Sequence, residues 1–221
     1  MTFIEDKEEY HQRYHLGFFE DDYDELGMMK TNEVDALLRG RLLHKLMEFY
    51  PNTNIEHLLD EIDLTDDRLR KELTQEIGVL LGQIENSQII KPVLTAEKFR
   101  NEVSILRQFG PDFLTGKLDK IYKSSDGQWV VLDYKTNSIS SDQLSRTVQK
   151  YQIQIETYAL LIASVYPEQE TYEICLYFLI PDELHSELFD LDHLKLVEQK
   201  FEKVIQEIKQ YYPYTDIPVG R

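Results

Sequence analysis

Residues 113–135, FLTGKLDKIYKSSDGQWVVLDYK, hold two alternating runs on either side of Ser124-Ser125-Asp126-Gly127. Asp-Gly between such runs marks a β-hairpin, because glycine accepts the positive φ that a tight turn requires. An antiparallel hairpin is therefore expected here, the clearest β signal in the chain. With Ser124–Gln128 as the loop, Lys123 faces Trp129, Ile121 faces Val131, and Asp119 falls opposite Asp133. A four-residue loop would shift this pairing by one. The two-residue period places Asp133 and Lys135 on one face of the sheet.

Opposed carboxylates repel one another, and an ordinary sheet avoids the pairing. A divalent cation removes the conflict. A small number of hard oxygen ligands, with water completing the shell, suits Mg²⁺ or Mn²⁺. Such a site has the chemistry of phosphodiester hydrolysis, with Lys135 orienting a nucleophile or offsetting developing charge. Read alone, however, Asp133-Tyr134-Lys135 fits the solvated end of a strand better than a site, since Asp-x-Lys after an apolar run often occurs by chance.

Outward from the hairpin, a helix is expected from Thr31-Asn32 through EVDALLRGRLLHKLMEFY, stopping at Pro51. Residues 54–86 read as two further polar helices, and FRNEVSILRQF (99–109) as a strand. Beyond the hairpin come a long helix from about Asp142 to Val165, the strand YEICLYFLI ended by Pro181, and a helix from about Leu191 to Tyr211. This order implies an α/β (α+β) fold, a small mixed sheet flanked by helices. Residues 1–30 read as an acidic, aromatic arm, 31–211 as one domain with a helical insertion at about 54–86, and 212–221 as a tail.

Composition narrows the classes. The chain has 221 residues and a formal charge of −17, which argues against strong autonomous DNA binding. KLDKIYK (117–123) is nevertheless locally basic. No apolar run approaches the ~20 residues of a membrane span, and the N-terminus lacks a secretory signal, so a cytoplasmic location without membrane contact is the default. The single cysteine, Cys175, cannot make an internal disulfide or a four-cysteine cluster, and inside a strand it reads as a buried apolar residue.

Further motifs fall in order along the chain: Gly40-x3-His44, Glu102, Gly116-x2-Asp119, Asp133-Tyr134-Lys135, and Tyr151-x2-Gln154-x3-Tyr158. On a helix, Gly40 lies beneath the His44 imidazole and leaves space there for a ligand or a DNA strand, while Gln154 and Tyr158 share a face. The ordered series resembles the PD-(D/E)XK nucleases of the RecB type, particularly the C-terminal nuclease domain of AddA-like helicase–nucleases, over roughly residues 31–180. The resemblance implies a restriction-endonuclease-like core, with Asp119, Asp133, the Tyr134 carbonyl and His44 around a metal. It makes Lys135 the catalytic lysine, places Gln154 and Tyr158 in the active site, and gives Glu102 an assisting role.

It further implies a Mg²⁺- or Mn²⁺-dependent exonuclease in DNA end processing, recombination and double-strand-break repair, without an iron–sulfur cluster. Its substrate would be DNA, single-stranded and delivered by a helicase domain or subunit. No Walker-type glycine-rich motif lies in these residues, so the motor would be other sequence. Two other readings compete. One is a non-catalytic DNA- or protein-binding scaffold that retains the nuclease fold, against which the acid–acid–lysine set stands. The other is a stand-alone restriction-type endonuclease, for which no base-reading element is evident.

Overall fold

The computed structural model describes residues 31–61, 66–137 and 139–211. The expected arm at 1–30 and tail at 212–221 lie outside these. The chain divides into two compact units, Asp35–Leu191 and a second made of the flanking segments.

In chain order the elements are α1 (Thr31–Phe49), α2 (Ile55–Glu61), α3 (Asp67–Asn86), α4 (Lys91–Leu94), β1 (Phe99–Phe109), β2 (Asp112–Lys123) and β3 (Trp129–Lys135). A single 3₁₀ turn then leads to α5 (Leu144–Lys150), α6 (Gln152–Val165), β4 (Thr171–Phe178), β5 (Glu183–Asp190) and α7 (Leu191–Tyr211). One sheet runs β1-β2-β3-β4-β5. Only β3 and β4 are parallel, and α5 and α6 make the crossover that a parallel pair requires. The expected mixed sheet flanked by helices is present.

Each face of the sheet is covered by a helical layer. On one, Leu42, Leu46 and Met47 of α1 join Leu73, Ile77 and Ile84 of α3 over Val130, Leu132 and Tyr134. The spacing of the α3 residues brings one stripe inward and leaves the charged residues outside. The helices of 54–86, polar in overall composition, therefore supply a large share of this core. On the opposite face α6 packs against β1, β2 and β4, burying Ile155, Ala159, Leu161 and Ile162. Cys175 is buried in β4, and burial pushes its thiol up to about 12. In the second unit, α7 buries Leu194, Val197 and Phe201, residues three and four apart.

The hairpin has the expected register: Lys123 pairs with Trp129 and Ile121 with Val131, around a loop in which Gly127 takes φ +86°. One expectation needs correction and two elements were not foreseen. A fifth strand, Glu183–Asp190, escaped the reading because its only apolar positions apart from buried Phe189 are Leu184 and Leu188, both exposed. It forms an edge strand through main-chain hydrogen bonds to β4, which side-chain patterning does not encode. The helix of 142–165 is interrupted at Tyr151, whose backbone (φ −98°, ψ 2°) leaves the helical region. Residues 91–94 form a short helix, with Pro92 in its first turn where the missing N–H costs nothing.

Candidate active site

The β2–β3 ladder ends at Lys120 and Leu132, one rung short of the Asp119–Asp133 pair. Instead of facing Asp133 in a ladder, Asp119 bends its carboxylate into the gap, and Oδ2 accepts the Tyr134 N–H at 2.8 Å. The two strands part here. On its other side β2 is irregular at the same place: Glu102, opposite Asp119 in the register, is left out of the pairing and has φ +53°. A non-glycine residue in this region is strained, and the strain marks a position that the surrounding fold over-determines.

Either side of this irregularity the ribbon presents different faces to its neighbours. Asn101 Nδ2 donates to the Glu48 carbonyl of α1 at 2.5 Å, and Lys120 Nζ donates to Asn101 Oδ1 at 3.0 Å. Further along, Gly116 lies against Leu161 and Tyr158 of α6. Asp119 thus sits where β2 changes layers, within reach of both.

Asp133, 2% exposed, lies on the α6 side. Its Oδ1 accepts from Gln154 Nε2 at 3.0 Å and lies 3.1 Å from the Tyr158 hydroxyl. That hydroxyl has one proton, which Asp133 and the Lys117 carbonyl, at 3.0 Å, share in alternation. Asp133 Oδ2 is 2.5 Å from Lys135 Nζ, yet no donor is aligned on it as a hydrogen bond. Burial raises the Asp133 pKa, Lys135 opposes the rise, and the Asp119 charge adds to it. The acids are therefore electrostatically coupled even without a shared rung.

Lys135 Nζ also donates to Gln154 Oε1 at 2.7 Å and lies 4.0 Å from the centre of the Tyr151 ring. Gln154 completes the set by donating to the Tyr158 hydroxyl at 2.7 Å. One amide thus bridges acid, lysine and phenol, which neither a glutamate nor a lysine could do, since it donates and accepts at once. Burial, then the Asp133 charge, raises the Tyr158 pKa and keeps the phenol protonated. At neutral pH Tyr158 is thus present as the phenol, able to donate its proton in a hydrogen bond.

His44 reaches the centre from α1, with Nδ1 3.3 Å from Asp119 Oδ2. That carboxylate holds the imidazole above its ordinary range, more strongly than burial pulls it down. The bare face of Gly40 is less open than its spacing implies: an added Cβ would lie 3.4 Å from Thr136 Oγ1, in the segment leaving β3. Glu102 stands apart from the others, its carboxylate held by Lys117 Nζ. The Tyr134 side chain belongs to the core on the opposite face, and its N–H is what enters the site.

Of the residues singled out in the sequence, Asp119, Asp133, Lys135, Gln154, Tyr158 and His44 are thus joined in one network. Tyr151 opens the same motif as Gln154 and Tyr158, but no role in the site was expected of it. Its ring contacts the Lys135 ammonium while its hydroxyl donates to Asn137 Oδ1 at 2.8 Å. The spacing was visible, but the break in the helix that turns the ring beneath Lys135 was not.

Gly116 sets the approach of α6. A Cβ there would lie 2.5 Å from Leu161 Cδ1 and 3.6 Å from the Tyr158 ring, and Leu161 is fully buried. Gly116→Ala is expected to destabilise the fold by about 1–3 kcal/mol through overpacking. The site's geometry should loosen with it, since Tyr158 and Gln154 move with the helix. Urea unfolding tests this, and an unchanged midpoint would show that Leu161 repacks freely.

Among the described residues, no three His, Cys, Asp or Glu side chains converge as a metal cage. The donor set still suits a hard cation. Asp133 Oδ2 is buried with only the Lys135 ammonium against it, and burial and then the neighbouring Asp119 carboxylate raise its pKa against that ammonium, a conflict that further positive charge would relieve. Mg²⁺ takes few protein ligands and retains water, so a closed cage is not required.

A family model described as the PD-(D/E)XK nuclease superfamily matches residues 3–219. Among solved structures, a candidate exonuclease from Eubacterium rectale is 14% identical with a TM-score of 0.48, covering 83% of this chain and 71% of that one. The structure of SSO0001 is 16% identical with a TM-score of 0.34, covering 82% of this chain and 88% of that one. No curated protein matches the chain.

Proposed function

Because this chain belongs to the PD-(D/E)XK nuclease superfamily, we propose that it is a divalent-metal-dependent deoxyribonuclease of the RecB type, hydrolysing phosphodiester bonds as an exonuclease. The observation that carries this reading is the buried Asp133–Lys135 ion pair, bridged by Gln154 and set beside Asp119 at the parting of two strands. A strand end meant only for solvent would leave both charges in water. Burying them is costly and needs a chemical reason.

Asp119, Asp133 and the Tyr134 carbonyl would hold Mg²⁺ or Mn²⁺, with His44 beside them. Bound there, the cation supplies Lewis acidity toward the scissile phosphate and a lowered pKa for attacking water. The protein's own groups supply position. Gln154 and the Tyr151 ring hold the Lys135 ammonium where it can orient the nucleophile and meet charge developing on the phosphate. Tyr158 and Gln154 fix the orientation of Asp133 by engaging Oδ1, which turns Oδ2 toward the Lys135 ammonium. Glu102 acts at one remove, by fixing Lys117 next to Asp119.

A role in DNA end processing, recombination and double-strand-break repair, coupled to a helicase motor, accords with the net charge of −17. A nuclease to which a motor delivers DNA need not grip it tightly alone. The purified chain is expected to cut end-labelled DNA with Mn²⁺ or Mg²⁺ and to stop on addition of EDTA. No cutting, together with no heat of Mn²⁺ binding by calorimetry, would sink the reading in favour of a non-catalytic scaffold.

A further inference from the structure

Beyond the end of the β3 ladder, β1 and β2 continue as a two-stranded ribbon, paired out to Phe109 and Asp112. One face of this ribbon is covered by α6. Ile105 and Phe109 are buried, Gly116 meets Leu161, and Arg107 Nη1 donates to the Leu160 carbonyl at 3.4 Å. The other face carries Ser104, Leu106, Gln108, Phe113, Thr115 and Lys117, brought together by the pairs Ser104–Lys117, Leu106–Thr115 and Gln108–Phe113. All six are exposed, with Leu106 at 64% and Phe113 at 62%.

We propose that this bare ribbon face is the track along which a single nucleic-acid strand reaches the catalytic centre, its bases stacking on Phe113 and Leu106. Three observations carry it. First, none of the six is acidic, in a chain whose formal charge is −17, and Glu102 at the inner end of the face is paired with Lys117, so phosphates meet little repulsion there. Second, the face is continuous with the centre. Lys117 lies two residues before Asp119 and lends its carbonyl to the Tyr158 hydroxyl. From Phe113 to Asp119 is about 20 Å at ~3.3 Å per residue, the length of about six stacked nucleotides at ~3.4 Å each.

Third, the side chains suit an unpaired strand. An exposed aromatic ring stacks any base without regard to sequence, while the hydroxyl and amide groups beside it serve sugar and phosphate. In a duplex the base faces are already stacked on each other, which leaves Phe113 and Leu106 little to contact. The choice of a single strand follows from this.

This inference rests on the nuclease reading, and the test separates the two. Binding of a fluorescent oligothymidine to the whole chain in EDTA, followed by anisotropy, reads the ribbon without cleavage. Phe113→Ala is expected to weaken binding about tenfold, the loss of one base stack, with Phe113→Tyr restoring it. Phe113 is largely exposed, so the melting temperature of Phe113→Ala should match wild type and exclude misfolding. Binding of a duplex of equal length should be far less affected.

Equal affinity of Phe113→Ala and wild type, no binding of the single strand by wild type, or an equal loss on duplex would each overturn the ribbon assignment. So would a concentration-dependent self-association that Phe113→Ala abolishes with no change in DNA binding, since the face would then serve a second copy of the chain. A chain that binds through Phe113 but cuts no DNA with Mn²⁺ would refute the nuclease and leave the ribbon standing. One that cuts with Phe113→Ala unaffected in binding would do the reverse.

Discussion

Lys135→Ala is expected to slow single-turnover DNA cleavage by about two to three orders of magnitude, the cost of removing one preorganised group from a reacting centre. Its ammonium is closely held: Asp133 at 2.5 Å, Gln154 at 2.7 Å, and the Tyr151 ring at 4.0 Å surround it. The substitution also leaves Asp133, 2% exposed, without its counter-ion. Losing one member of a buried pair costs roughly 3–5 kcal/mol, so part of the lost activity could be lost fold. Lys135→Arg separates these effects. It keeps the charge paired, and with it the fold, but a planar fork cannot occupy the point that the ammonium fills between Gln154 and Tyr151. Slow cleavage by a stably folded Lys135→Arg chain is the expected result. A folded Lys135→Ala chain that cuts within about tenfold of wild type would remove Lys135 from the chemistry.

A comparable loss is expected at Asp119, where two substitutions divide structure from metal binding. Asp119 accepts the Tyr134 N–H at 2.8 Å and also offers negative charge at the mouth of the parted strands. Asp119→Asn keeps an oxygen for that N–H while removing the charge. Its melting temperature should stay close to wild type, while the calorimetric heat of Mn²⁺ binding disappears and cleavage falls by roughly three orders of magnitude. Asp119→Ala should lose both properties, with about 1–3 kcal/mol of stability gone because a buried N–H is left without an acceptor. Mn²⁺ binding that survives in both variants would exclude Asp119 as a ligand. If Asp119→Asn alone proved unstable, the charge would matter to the fold through His44.

Much of the site follows from local spacing. The Asp-Gly turn and the two alternating runs specify the hairpin and leave two registers one residue apart, of which the structure has the one with Lys123 opposite Trp129. The two-residue gap between Asp133 and Lys135 puts both on one face, and the four-residue gap between Gln154 and Tyr158 does the same on a helix. These relations need no knowledge of the rest of the molecule. The strand at 183–190 is the counterexample. Its alternation points charged and apolar side chains alike toward solvent, so only the main-chain ladder to β4 reveals it.

The sequence by itself determined which groups are available and their order, together with the turn and the shared faces, because strand and helix periods are local properties of the backbone. Only the tertiary structure decided how the groups meet. It ended the β2–β3 ladder before Asp119, so the acid turns to the Tyr134 N–H in place of a rung opposite Asp133. It carried His44 across from α1, broke the helix so that the Tyr151 ring lies under Lys135, and let α6 close on Gly116. The approach of segments distant in the chain depends on the packing of both faces of the sheet at once, and no single stretch of residues encodes it.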